Sequence, residues 1–110
     1  MAFDLNYVTT QVKNLLPLDL DATDIYDTKL NTLVGNAIMK MKIGGADINA
    51  VDKDGNAFFT EGSLMGYQFC TCCSYQVLKD MDLDVDMDYL TTQYITSLGE
   101  MRCYITAKQS

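Results

Sequence analysis

The stretch TDIYDTKLNTLVGNAIMKMKIGG, residues 23 to 45, constrains the fold more than any other part of the chain. Tyr26, Leu30, Leu33, Val34, Ala37, Ile38 and Met41 recur at steps of three and four, the spacing that puts side chains on one face of an α-helix. A helix over 23–43, about five turns long, follows. Thr23 is placed to cap its first turn, Asp24 and Asp27 sit at the positive end of its dipole, Lys40 and Lys42 at the negative end, and Gly44-Gly45 supplies a left-handed stop. Gly35 interrupts the stripe at a cost of about 1 kcal/mol against alanine. Either a second helix approaches closely there or the position is merely tolerated, and close packing is the expectation.

A helix with one long apolar face needs other elements to cover it, and the rest of the chain supplies three. LNYVTTQVKNLL aligns Leu5, Val8, Val12, Leu15 and Leu16, and Pro17 ends the pattern, which gives a short helix over 7–16. SLMGYQFCTCCSYQVLK is apolar almost all round, with Leu64, Tyr67, Cys70, Ser74 and Leu78 on one side and Phe69, Cys73 and Val77 on another. It reads as a helix over 63–79 in the middle of a bundle or at a subunit interface. DYLTTQYITSLGEMRCYI repeats the stripe with Leu90, Tyr94, Leu98, Met101 and Ile105, giving a helix over 87–105 capped by Asp86. The fold expected is all-α, a small four-helix bundle in one domain spanning 1–110. Its one long loop, ADINAVDKDGNAFFTEGS, lies between the second and third helices and contains an Asp54-Gly55 turn.

Charge narrows the partners. Fifteen acids against 8 bases give a net charge of −7, and a chain so acidic lacks the clustered cations that phosphate backbones or anionic membranes require. Residues 1–4 show no basic, apolar leader and no run approaches a membrane span, so a cytosolic protein is expected. Four cysteines, three of them crowded at Cys70, Cys72 and Cys73 with Cys103 distant, form a poor disulfide framework and fit reduced thiols.

Three constellations carry possible chemistry. Asp52-Lys53-Asp54-Gly55-Asn56 begins like an EF-hand calcium loop. With Asp52 first, however, Ala57 stands where the glycine belongs and Ser63 where the bidentate glutamate belongs; shifting the frame to recover Gly55 and Glu61 puts Ala50 at the first ligand. Neither frame closes, and an ordinary Asp-Gly turn is the plainer reading. Cys70-Thr71-Cys72-Cys73 contains a C-x-x-C, yet zinc would need Cys103 as fourth ligand in a chain without histidine, and small buried thiols that let helices approach closely are the plainer reading. The alternation DMDLDVDMD, with Asp80, Asp82, Asp84, Asp86 and Asp88 spaced by two, suggests an extended acidic surface or a solvated connection. No histidine, no G-x-S-x-G and no phosphate-binding glycine loop is present, so no enzymatic activity is expected and no cofactor or metal is assigned.

The order of these parts, a short first helix NYVTTQVKNLL, an acidic break DLDATD, a second helix IYDTKLNTLVGNAIMKMKIGG, a loop, an apolar third helix and a fourth with a polar end, resembles the head-tail connector (adaptor, head-completion) proteins of long-tailed bacteriophages. The cysteine cluster and the Asp-Gly loop have no counterpart in that pattern. The resemblance implies a structural virion protein of the neck between head and tail. It would form a ring of about twelve copies between the portal protein and the stopper or tail-completion protein, with DNA passing through without specific binding and with heterologous lateral contacts. An acidic ring suits that passage, because it repels phosphate. The C-terminal segment from Arg102 would reach towards the portal. Phe58, Phe59, Arg102, Tyr104 and Lys108 are the expected partner-binding residues, although the loop pair Phe58-Phe59 reads as an anchor against either the core or a partner. Two other classes fit the sequence: a small acidic interaction protein or DNA-mimic inhibitor presenting Asp80 to Asp88 as one stripe, and a degenerate EF-hand-like calcium-binding module.

Overall fold

The computed structural model describes residues 3–16, 24–81 and 86–109, with side chains from residue 29 onward in the second helix. Four helices span them: α1 (Leu5–Leu15), α2 (Asp24–Ile43), α3 (Leu64–Asp80) and α4 (Met87–Gln109). The expected all-α, four-helix architecture and the long loop between the second and third helices are both present. No named strand occurs among the described residues, only an isolated antiparallel bridge between Val51 and Ala57 inside the loop.

Local signals explain the ends. Asp4 caps α1 by accepting from the Tyr7 amide at 3.0 Å, and Ser63 caps α3 by accepting from the Gly66 amide at 3.0 Å. Asp86 caps α4 through the Tyr89 amide at 3.0 Å. α2 stops as expected, and in detail: the Ala46 amide donates to the Met41 carbonyl at 2.8 Å and the Gly45 amide to Lys42 at 3.1 Å, with Gly45 at φ +101°. That is a Schellman stop, and the accompanying apolar contact is available because Ala46 and Met41 are both fully buried. Thr23 lies outside the described residues.

The central helix is α3, which touches each of α1, α2 and α4. Along α2 the stripe Leu30, Val34, Ala37 and Met41 is buried, and along α4 Leu90, Tyr94, Met101 and Ile105 are. α4 runs antiparallel to α3: the Gln68 amide group donates to Glu100 at 3.0 Å near one end, and the Cys72 thiol donates to the Tyr94 carbonyl at 3.6 Å further along. The subunit measures 43 × 33 × 20 Å across its Cα atoms, so its thinnest direction holds about two layers of helices.

One expectation about packing needs correction, and another is narrowed. Among the described residues no atom beyond α2's own backbone lies within 4 Å of the place where a Cβ at Gly35 would stand, so none of the described helices exploits that glycine; close approach occurs instead at Gly44, Gly45 and Gly66. Of the two places open to α3, its central position is seen in its contacts with all three other helices, while Leu64 and Tyr67 are exposed on a flank those helices leave uncovered.

Candidate interaction surfaces

The long loop is held by its two phenylalanines. Phe59 is buried among Phe3 and Phe69, with ring centroids 6.2 and 4.7 Å away, and Phe69 belongs to α3. Phe58 turns the other way and meets Tyr104 of α4 edge-on at 5.9 Å. Both rings are used inside the subunit, which anchors the loop between the α1–α3 and α4 sides of the fold. Of the two roles open to the pair, an anchor against the core or against a partner, the structure displays the core anchor, with their apolar surface already covered inside the subunit.

The remaining expected contact residues share the C-terminal half of α4. Tyr104 is 45% exposed despite its contact with Phe58, and the Lys108 ammonium stands 5.7 Å from the centre of its ring. Arg102 lays the stem of its side chain against the backbone of Gly45. Gln109 donates to the Val51 carbonyl at 3.0 Å, tying the helix end to the loop. Phe58, Tyr104 and Lys108 therefore form one group, Arg102 faces the end of α2, and Phe59 is apart from both.

The five alternating aspartates do not act alike. Asp80 is the last residue of α3 and bridges elements: the Lys40 ammonium approaches its carboxylate at 3.4 Å and Gln76 donates to it at 3.0 Å. Asp86 is spent on the cap, and Asp88 sits in the first turn of α4, where its charge complements the helix dipole. Asp82 and Asp84 lie outside the described residues. The cap expected of Asp86 is thus observed, and the extended geometry expected of the run is corrected at Asp80, which α3 takes in as its last residue.

The Asp-Gly loop closes on itself. One Asp52 oxygen accepts from the Asp54 amide at 2.8 Å and the Asn56 amide at 2.9 Å, and the Asn56 side chain donates to the other oxygen at 3.4 Å. These bonds, with Asn56 foremost, hold the Asp52 carboxyl below its ordinary pKa against a smaller opposing effect of burial. Gly55 and its φ of +84° make the turn possible. Cys70, Cys72 and Cys73 are buried, and burial pushes the first two thiols up to about 12, which makes them inert as nucleophiles; Cys103 is exposed and separate. Among the described residues no group of three or more acids and cysteines is placed to hold a metal ion.

The surfaces that sequence reasoning missed are apolar. On α3 the uncovered flank carries Leu64, 82% exposed, and Tyr67, 58% exposed, followed by the half-buried Thr71 and Tyr75 at helical spacing. Tyr89 of α4 and Tyr67 lie close enough to Tyr75 to help burial raise its hydroxyl pKa. On the α1 side, Tyr7, Gln11, Gly62, Ser63, Tyr67 and Cys70 line a cavity of about 160 Å³, and the Gly62 amide donates to the Tyr7 hydroxyl at 3.3 Å. A second surface lies on α2, where Met39 is 64% and Ile43 86% exposed, four residues apart and off the core stripe. Their one signal in the sequence is that spacing outside the buried positions.

No helix among the described residues is long and apolar enough to cross a membrane. Comparison with known proteins finds no family, no curated relative and no solved structure that matches this chain.

Proposed function

We propose that the chain is a structural subunit that works by assembly, as a head-tail connector: a ring of copies seated between a portal protein and a stopper or tail-completion protein, with an acidic channel through which DNA passes. One observation carries this reading. Among the described residues the helices and the long loop share one core, yet Met39, Ile43, Leu64, Tyr67 and Ile95 remain exposed on a chain of net charge −7. Large apolar side chains that the core does not need, gathered on helix faces, mark contact with other proteins. The order of helices, the acidic character and the absence of any paired nucleophile and base support a spacer without chemistry of its own. The DNA-mimic alternative wanted one uninterrupted stripe of five aspartates, and the roles of Asp80 and Asp86 give it no specific support. For the calcium alternative, neither frame of the loop supplies both the first ligand and the twelfth-position glutamate.

The test is co-expression of the tagged chain with the products of the genes adjacent to its own, followed by identification of what co-purifies. Recovery of a portal or stopper protein in fixed stoichiometry is the expected result. Capture of a basic enzyme instead, or of no virion protein, contradicts the reading.

A further inference from the structure

We propose that the open flank of α3 in one copy receives the outer face of α2 from a second copy, a head-to-tail contact that repeats from subunit to subunit; the proposal rests on the assembly reading above and names its lateral interface.

The two faces are unlike each other and match. The flank of α3 is a floor of the apolar Leu64, Tyr67 and Tyr75 interrupted by Gln68 and Thr71, whose polar groups bond within the subunit, and it is walled by Tyr7 and Gln11 of α1 on one side and by α4 on the other. Its rim is acidic. Glu100 stands at the α4 edge, hydrogen-bonded to Gln68; Asp88 adjoins Tyr89 at one end of the floor, and exposed Glu61 precedes Gly62 at the other. The nearest α3 cation, Lys79, is turned onto the Tyr94 ring at 5.6 Å. α2 offers the converse. Between Asp27 and Asp47 the chain has no carboxylate and three lysines, and the exposed Met39 and Ile43 share the outer face of α2 with exposed Lys29 and Lys42. An apolar ridge edged with ammonium groups fits an apolar floor edged with carboxylates, and like-charged pairing of either face with itself is disfavoured.

Their placement sets the symmetry. α2 reaches α3 at Asp80 through Lys40, and Asp80 lies roughly 160° round the helix from Leu64 at 3.6 residues per turn. The two faces therefore sit on different sides of the subunit. A contact between different patches is heterologous, so each copy keeps one face free for the next and the series closes into a ring when the rotation permits.

Ile43→Asp and Leu64→Asp each place a charge at one face, at positions too exposed to disturb the core, and thermal melts check that both variants fold. Sedimentation is measured for the wild type, each variant and their equimolar mixture at concentrations up to roughly 1 mM, so that a weak contact registers. The wild type is expected to form dimers and larger species that weaken with salt, and each variant alone to lose at least about tenfold in self-association. The mixture is expected to form a dimer and go no further, because one good face remains on each partner. A monomeric wild type, a mixture that stays monomeric, or either variant associating like the wild type overturns the contact. None of these results alters which proteins co-purify with the chain, so this proposal and the connector reading fail separately.

Discussion

Gly44 at the end of α2 lies directly against Leu98 in the middle of α4: a Cβ added at residue 44 would stand 2.6 Å from Leu98 Cδ2. The diglycine thus does two things, ending α2 and letting α4 pass close beneath it. Gly45→Ala is expected to cost about 1 to 3 kcal/mol, since its φ of +101° belongs to the left-handed region that side chains avoid. Gly44→Ala is expected to cost about 0.5 to 1.5 kcal/mol, because Leu98 can escape only by leaving its rotamer. In urea melts, adding Leu98→Ala should abolish the further cost of Gly44→Ala while leaving that of Gly45→Ala unchanged. Additive effects of residues 44 and 98 would contradict the contact.

Phe59 and Phe58 separate loop anchoring from core packing. Phe59→Ala removes a ring packed on Phe3 and Phe69 and should cost about 3 to 5 kcal/mol. Phe58→Ala loses an edge contact with the partly exposed Tyr104 and should cost less, while raising amide exchange from Ala50 to Phe58, whose own amide donates to Ala50 at 3.2 Å. Equal destabilisation by the two changes would contradict this division.

The thiols and Tyr94 predict alkaline lability. In the unfolded chain thiols titrate near 9.0 and tyrosine near 10.0; in the fold burial pushes Cys70, Cys72 and Tyr94 up to about 12, and Cys73 is raised too. A raised pKa means the native state keeps protons that the unfolded state releases. Stability from these groups is therefore complete below about pH 9 and is lost as pH climbs towards 12. Thermal melts between pH 8 and 11 should show a falling midpoint, flatter in a Cys72→Ala variant. At neutral pH a thiol reagent should modify Cys103 at once and the three others only as fast as the structure opens.

Asp52 predicts the opposite sign at the acid end. Its pKa is depressed below the ordinary 3.8, so the loop's stabilisation is present above that value and disappears as pH falls through the lower native one. Amide exchange at Asp54 and Asn56 should accelerate at acid pH beyond the intrinsic trend, and Asp52→Ala should remove this dependence at every pH.

Much of this fold is legible in local pattern, and the reason is physical. The stripes of α2 and α4 face the core because three-and-four spacing leaves a helix no other way to bury them, and Gly45 and Asp86 end or begin helices through bonds made within a few residues. What eluded the sequence depends on contacts between distant segments. α3 is apolar on every side, so periodicity leaves open both a central place in a bundle and a subunit interface, and does not say that Leu64 and Tyr67 lie on the flank its neighbours leave bare. Gly35 and Gly44 look alike in a sequence, yet only the second meets another helix. Phe58 and Phe59 read as anchors against either the core or a partner, because nothing local reveals that Phe3 and Tyr104 come to meet them.

Electron microscopy of the chain assembled on its co-purified partners tests the central claim most directly. The account predicts closed rings of one fixed copy number around an open channel, with α2 of each subunit seated on α3 of the next. Isolated monomers on the partner, or two-fold dimers joined through identical faces, would contradict it.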